Sequence, residues 1–248
     1  MRYLSVLLFA FLISFKLSDI KLTAQQIIDK TIVASGADKV GNAQIKFKFR
    51  ETEYIATRRT SGEFVLIRNQ RKENFGTISD IVSNNGFKRE INAKEFAVLD
   101  SMANKYSNSV NSVHYFSVLP YGLNDKAVIK KRLPSSIVNG KEYYKIEVTF
   151  SENGGGEDFE DVFIYWVGKK DFLIDYLAYS YHTNGGGKRF RVLKEQCKKG
   201  GIRFVDYYNY KSTNPSISLV DLDIAFENNQ LDKISEIVLE DIEVTILD

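Results

Sequence analysis

Two histidines, His114 and His182, and one cysteine, Cys197, are the side chains best suited to metal binding or to acid–base and nucleophilic chemistry. A zinc site needs three or four such ligands, which usually recur at short spacings such as CxxC or HExxH. The sequence contains neither pattern, and its two histidines lie far apart. We therefore expect each histidine to be a surface or hydrogen-bonded imidazole, and we expect no metal and no cofactor.

Cys197 and His182 could still form a nucleophile and its base, because they flank a predicted hairpin from residue 183 to 196. An activated thiol needs a base within hydrogen-bond reach. However, Lys198 and Lys199 follow the cysteine near a predicted turn, and no nucleophile signature surrounds it. The sequence favours an inert thiol. Full function of a Cys197→Ser variant would exclude a hydrolase built on this pair.

The segment Asn184–Arg189, NGGGKR, has the glycines and basic residues of a phosphate-binding loop. Such a loop must lead into a helix whose N-terminus meets the phosphate, whereas a β-like run follows here. We therefore predict a hairpin turn. The nearby carboxylates of Asp158, Glu160 and Asp161 have nothing that marks a glycosidase pair. We predict that the protein is not an enzyme.

Basic clusters at Arg58–Arg59, Lys130–Arg132 and Lys198–Lys199 could bind anions. The formal net charge of the chain is +2, and residues 1–24 account for all of it. A neutral remainder argues against a nucleic-acid partner, which requires a basic surface. We interpret the clusters as solvated faces, with contact to anionic lipid headgroups as the alternative.

Aromatic side chains, 13% of the residues, are the feature with the clearest functional meaning. They could simply pack a core, or they could line an apolar cavity for a lipid or another hydrophobic ligand. Under the second hypothesis, the candidate ligand-binding residues are Phe47, Phe49, Phe96, Leu99, Tyr106, Tyr144, Ile146, Trp166, Tyr176 and Phe204.

Most of these candidates lie on predicted β-strands. Apolar and polar residues alternate in Gln44–Arg50, as expected for a strand with one buried face. Phe159–Tyr210 predicts an antiparallel meander, and Asn139–Gly140 is a strong hairpin signal. We expect about ten to twelve strands in total, with Leu219–Phe226 and Ile234–Leu247 as the last.

Two helices are predicted. Thr23–Gly36 is short, with a capping box at Thr23 and a left-handed glycine at its end. Asn92–Leu119 is long, begins with Asn92 and Glu95 as a cap, and is expected to kink or break near Ser107–Ser112. Its apolar stripe consists of Phe96, Leu99, Ala103, Tyr106, Val110 and Val113. The predicted fold is mainly β (α+β): one large curved antiparallel sheet, a half-barrel, whose concave face the helices cover.

The N-terminal residues resemble an export signal. Arg2 precedes the apolar run Tyr3–Phe15, which is shorter than the roughly 20 residues of a membrane span. The expected signal peptide is residues 1–24, so the mature chain would begin at Gln25, and an uncleaved anchor is the alternative. Residues 25–248 are then one domain, which its core must stabilise because a lone cysteine forms no internal disulfide.

The order of these elements resembles the periplasmic lipoprotein-carrier fold, the LolA/LolB-like family, in an uncharacterised secreted bacterial branch. The segments that carry the resemblance are AQQIIDKTIVASG, AQIKFKFR, VFIYWVGKKDFLIDYLAYS and GIRFVDYYNY. The resemblance implies a monomeric periplasmic or secreted protein that holds a lipid or a lipoprotein acyl chain between sheet and helices. The alternative is a structural or protein-interaction module of the cell envelope, with a protein partner and no small ligand.

Overall fold

Two seven-stranded antiparallel sheets and three α-helices form the computed structural model, which describes residues 21–153, 159–182 and 185–248. Three features discussed above lie outside the described residues: Asp158, Asn184 and the apolar run of the predicted signal peptide. The predicted fold class, mainly antiparallel β with few helices, is confirmed. The strands are divided between two sheets, where we expected a single continuous one.

The first sheet joins the N-terminal strands to the last strand, in the order β14-β1-β2-β3-β4-β5-β6. One face of β1 is buried in strict alternation, as its sequence predicts. The strands are β1 (Ala43–Phe49), β2 (Thr52–Arg58), β3 (Phe64–Lys72), β4 (Gly76–Ser83), β5 (Gly86–Ile91), β6 (Lys94–Glu95) and β14 (Glu240–Ile246).

The second sheet is a meander in the order β13-β12-β11-β10-β9-β8-β7. The hairpin predicted at Asn139–Gly140 joins its first two strands. The strands are β7 (Val128–Val138), β8 (Lys141–Phe150), β9 (Val162–Gly168), β10 (Ile174–Tyr181), β11 (Gly187–Lys199), β12 (Ile202–Ser212) and β13 (Leu231–Ile237).

The two sheets share an apolar cluster. Ile45 and Phe47 of β1 pack there with Ile202 and Phe204 of β12 and with Val118. The chain crosses from β13 to β14 near this junction, where the Leu239 amide donates a hydrogen bond of 2.9 Å to Asp206 Oδ1. Apolar burial along this seam holds the sheets side by side.

Helix α1 (Ala24–Ser35) begins and ends as its sequence predicts. The Thr23 hydroxyl accepts from the Gln26 amide, the Gln26 side chain accepts from the Thr23 amide, and Gly36 is left-handed. Ile27 and Ile28 are fully buried against the second sheet. A 3₁₀ turn (Ala37–Asn42) then leads into β1.

Helix α2 (Asp100–Ser117) begins later than predicted. Asn92 and Ala93 have φ values of 50° and 61°, so they form the turn between β5 and β6 and cannot begin a helix. The Asn92 side chain accepts a hydrogen bond from the Thr77 amide and donates one to the Phe75 carbonyl. It therefore stabilises neighbouring turns and does not cap a helix. The helix is continuous through Ser107–Ser112, so of the predicted kink or break a break does not occur.

The strand predicted at Leu219–Phe226 is also wrong, because Leu219–Asp221 is a 3₁₀ turn that leads into helix α3 (Leu222–Glu227). The helix covers the outer face of the second sheet. Asp223 is buried there and accepts from Lys145 Nζ at 3.0 Å and from Trp166 Nε1 at 2.9 Å. These partners lie far away in the sequence, so tertiary contacts decide the local structure.

Candidate functional site

A cavity of about 780 Å³ lies beside the C-terminal half of α2, between walls contributed by both sheets. Leu66 and Phe64 of β3 form part of one wall, and β9, β10 and β11 form the other. Its most prominent lining is aromatic: Phe64, Tyr115, Phe116, Tyr121, Phe150, Phe163, Tyr179 and Tyr181.

Phe163 lies at the centre of these rings. Its ring centroid is 6.0 Å from that of Phe116, 5.8 Å from that of Phe150 and 5.7 Å from that of Tyr179. Side chains alternate along β9, so Phe163 and Tyr165 point to the helix side of the sheet. The cavity floor is therefore a rigid set of interlocked rings, which suits an apolar ligand.

Buried tyrosines surround the floor. The Tyr115 and Tyr165 hydroxyl oxygens are 3.5 Å apart, and burial raises the pKa of Tyr115 to about 12. Burial likewise raises the pKa of Tyr207 to about 12 and that of Tyr165 well above its usual value. Because these phenols stay neutral near pH 7, they do not serve as bases there.

Polar side chains also line the cavity, and the charged ones among them are Arg58, Arg59, Arg189, Arg191, Glu63, Asp125 and Asp161. The Arg58 guanidinium carbon lies 5.3 Å from the centroid of the Tyr121 ring, and the Arg191 guanidinium carbon lies 4.1 Å from that of Phe116. Arg191 Nη2 also donates to the Tyr179 hydroxyl oxygen at 3.2 Å. The cavity thus combines apolar rings with positive charge.

His114 is buried at the edge of the cavity, and its predicted role as a hydrogen-bonded imidazole is confirmed. Nε2 lies 3.1 Å from the Ile67 carbonyl oxygen and donates its proton to it, while the ring packs edge-on against Phe47 and Tyr54. Burial, with the nearby charge of Arg58, lowers the pKa of His114 to about 3. The imidazole is therefore neutral at physiological pH.

The structure separates Cys197 from His182, the pair that sequence analysis considered as a nucleophile and its base. Cys197 lies opposite Phe204, near the C-terminal end of β11. The exposed His182 follows β10 and lies near the N-terminal end of β11. The extended run from Gly187 to Cys197 spans roughly 30 Å. Burial and the nearby Asp206 also raise the pKa of the thiol, which disfavours a thiolate.

The ten candidate ligand-binding residues do not come together, and none is among the described residues that line this cavity. Tyr144 and Ile146 come nearest, in the apolar cluster that contains Phe163. Trp166 and Tyr176 lie on the opposite face of the second sheet, beneath α3. Both faces of β9 are apolar, and a bulge in β10 between Ile174 and Tyr176 shifts the alternation, so sequence did not separate the faces.

The remaining candidates lie at the first sheet. Phe47, Phe49 and Phe204 belong to the cluster at the seam, and Tyr106 stacks on Phe87 at 6.1 Å. Phe96 and Leu99 precede α2 and are 51% and 76% exposed, because the helix begins only at Asp100.

Sequence reasoning missed Tyr115, Phe116, Phe163 and Tyr179. Continuing the predicted α2 stripe by three residues from Val113 reaches Phe116, so that residue could have been found. Nothing in the sequence marks Arg58 and Arg191 as neighbours of one cavity, because they lie on different sheets.

Within the described ranges, no cluster of three or more His, Cys, Asp or Glu side chains is arranged to hold a metal ion. In the same part of the chain, the helices are too short or too polar for a membrane span.

A family model described as "Family of unknown function (DUF6503)" matches residues 2–240. No curated protein matches the chain. Among solved structures, a LolA superfamily protein from Nitrosomonas europaea is 10% identical with a TM-score of 0.48, covering 92% of this chain and 94% of that one. A DUF1329 family protein from Desulfovibrio piger is 12% identical with a TM-score of 0.39, covering 91% and 92%. The LolA-like fold expected from sequence agrees with the open antiparallel sheets and covering helices.

Proposed function

This chain belongs to DUF6503, a family of unknown function, and on that premise we propose that it is an exported, non-enzymatic protein that holds a hydrophobic ligand beside α2. The observation that carries the proposal is the aromatic cavity of about 780 Å³. Ligand sites of roughly 300–1,000 Å³ lined by apolar rings suit molecules the size of a fatty acyl chain.

Helix α2 covers one side of the cavity, and contacts with β3 and β5 hold its first part on the first sheet. Arg68 Nη1 donates to Ser109 Oγ at 2.7 Å, and the Arg89 guanidinium carbon lies 3.6 Å from the centroid of the Tyr106 ring. The C-terminal half contributes Tyr115 and Phe116 to the cavity. Because the helix is unbroken, we propose that the ligand enters past the exposed lining residues Glu63, Asn111 and Ser112.

Export is proposed from the apolar run Tyr3–Phe15. In the folded chain Leu22 packs on the core, its carbonyl accepts from Arg132 Nη1, and Thr23 caps α1. Because these contacts would be lost in a chain that starts at Gln25, we propose a cut upstream of Leu22 as an alternative to the expected cut after Ala24. N-terminal sequencing of protein recovered from the cell envelope checks both export and cut, and a mature chain that starts at Gln25 would contradict this position.

Native mass spectrometry of the protein purified without detergent, followed by solvent extraction, tests ligand binding. We expect an apolar molecule to copurify at up to one per chain. A Ser112→Trp variant adds bulk at the cavity mouth and should lower occupancy roughly tenfold or more, because an indole would overpack the opening. Asn104→Trp is the matched control, since Asn104 is exposed on the same helix away from the cavity.

The alternative function, a cell-envelope interaction module, predicts a different outcome. A partner protein would copurify and remain bound after lipid is extracted, and Ser112→Trp and Asn104→Trp would behave alike. An empty chain in every preparation, with no binding of added apolar molecules, would contradict the proposed function.

A further inference from the structure

Arg58 and Arg191 face the cavity from opposite sheets, and neither has an acidic partner among the described residues. Arg58 ends β2 in the first sheet, and Arg191 lies on β11 in the second. A guanidinium is charged at any physiological pH, so burying it without an anion is unfavourable.

Arg58 is the more isolated of the two. Within the described part of the chain its guanidinium makes no hydrogen bond and no ion pair, and it lies over the ring of Tyr121. Nη1 is buried with its hydrogen-bonding capacity unused. Burial lowers the pKa of Arg58, and the Tyr121 hydroxyl only partly offsets this effect.

Arg191 is only 9% exposed and is held flat against an aromatic ring. Among the described residues its one hydrogen bond goes to the Tyr179 hydroxyl oxygen, and Nε is buried without an acceptor there. The ring of Phe116 and the Tyr179 hydroxyl orient the guanidinium and leave its charge uncompensated.

Several other cations in the described ranges are paired with carboxylates. Arg68 and Arg89 share Asp80, Lys145 bonds Asp223, and Arg203 bonds Asp175. Arg58 and Arg191 differ from these ion-paired cations. A buried polar group without a protein partner usually bonds a ligand, an ion or a water molecule.

Acidic residues near the cavity do not fill this role. Glu63 and Asp125 line it but are exposed, and neither forms an ion pair with Arg58 or Arg191. Asp161 Oδ1 lies 3.6 Å from His182 Nδ1.

We propose that the ligand is a long-chain amphiphile with an anionic headgroup, a carboxylate or a phosphate ester, bound between Arg58 and Arg191 with its chain against Phe150 and Phe163. The inference rests on the proposed function and narrows the ligand class. Carboxylate and phosphate oxygens match the paired N–H donors of a guanidinium, and the aromatic floor accepts methylene groups.

Three probes of equal chain length test the proposal: myristate, tetradecyl phosphate and tetradecanol, each titrated into delipidated protein at pH 8. We expect at least one anionic probe to bind roughly tenfold or more tightly than the alcohol, because charge-assisted hydrogen bonds replace an uncompensated charge. Which anion binds more tightly distinguishes a fatty acid from a phosphate-bearing lipid.

Arg58→Gln with Arg191→Gln should remove the preference for the anion, measured as the ratio of the affinities for the anionic probe and for tetradecanol. Arg71→Gln, an exposed arginine outside the cavity, is the matched control and should keep the preference. If the double variant does not fold, Arg58→Gln alone should still reduce the preference several-fold.

Equal affinity of the wild-type protein for all three probes would overturn the anionic-headgroup proposal and leave the proposed function standing. A preference that survives in the folded double variant would overturn it as well. Failure of every probe to bind would count against the proposed function itself.

Discussion

A single carboxylate, Asp80, fixes the N-terminal half of α2 on the first sheet. It is 1% exposed and accepts from Arg89 Nε at 2.6 Å and from Arg68 Nε at 3.1 Å. Arg68 in turn reaches Ser109, and Arg89 lies on Tyr106. The position of the cover therefore depends on one buried anion.

Replacing Asp80 by Asn should lower the free energy of unfolding by about 3–5 kcal/mol, because two buried guanidinium groups lose their counter-ion. Urea denaturation at pH 7 measures the loss. Asp232→Asn is the control, since Asp232 is exposed on the edge strand β13, and we expect it to change stability by less than about 0.5 kcal/mol. Equal effects of the two substitutions would contradict a structural role for Asp80.

At the scale of elements, the end of α1 and the β11–β12 turn are packed backbone to backbone. Gly36 has φ of +71°, and a Cβ there would lie 2.0 Å from the Gly201 carbonyl oxygen. Such an approach is closer than any real Cβ contact. Glycine is required at this position for both its conformation and its lack of a side chain.

Gly36→Ala should therefore destabilise the protein much more than Gly62→Ala. Gly62 also has positive φ, +88°, but a Cβ there meets nothing within 4 Å. We expect about 1 kcal/mol for Gly62→Ala, from backbone strain alone, and several times that for Gly36→Ala. Thermal unfolding of both variants beside the wild type checks this comparison. Similar melting temperatures for the two variants would mean that the β11–β12 turn can move away from a Cβ at residue 36 without loss of stability.

Local signals explain which elements the sequence predicted well. The capping box at Thr23 and the glycine at position 36 act within a few residues, so α1 was placed correctly. The start of α2 was misplaced because Asn92 suits a helix cap and a left-handed turn equally well. The hydrogen bonds from its side chain to residues of the neighbouring β3–β4 turn decide between them.

The candidate site was harder to predict, since it depends on which face of each strand meets α2. Alternation in β8 correctly grouped Tyr144 and Ile146, because the other face of that strand carries charged residues. In β9 both faces are buried, one beneath α1 and α2 and the other beneath α3, so Phe163 and Trp166 look alike in the sequence. Only the complete topology separates them.

At the scale of the whole molecule, the cavity between the two sheets holds two arginines that have no carboxylate partner among the described residues. Such an arrangement should make the empty protein less stable than its core alone would allow. A ligand that binds only the folded state adds stability, by about 2.7 kcal/mol when its free concentration is 100 times its dissociation constant. The ligand would then be part of what holds both sheets and α2 together.

Stability and binding should therefore respond in opposite directions to the loss of Arg58. In the delipidated protein, Arg58→Gln should raise the free energy of unfolding by about 1–2 kcal/mol, since a half-buried charge that lacks an acidic partner among the described residues is removed. Saturating myristate or tetradecyl phosphate should raise the free energy of unfolding of the wild type by at least that difference. The same probe should raise the free energy of unfolding of the variant by less. Denaturation of both proteins, with and without the probe, measures all four free energies. If Arg58→Gln instead destabilises the delipidated protein, and the probe stabilises both proteins equally, then Arg58 supports the fold and does not receive a ligand.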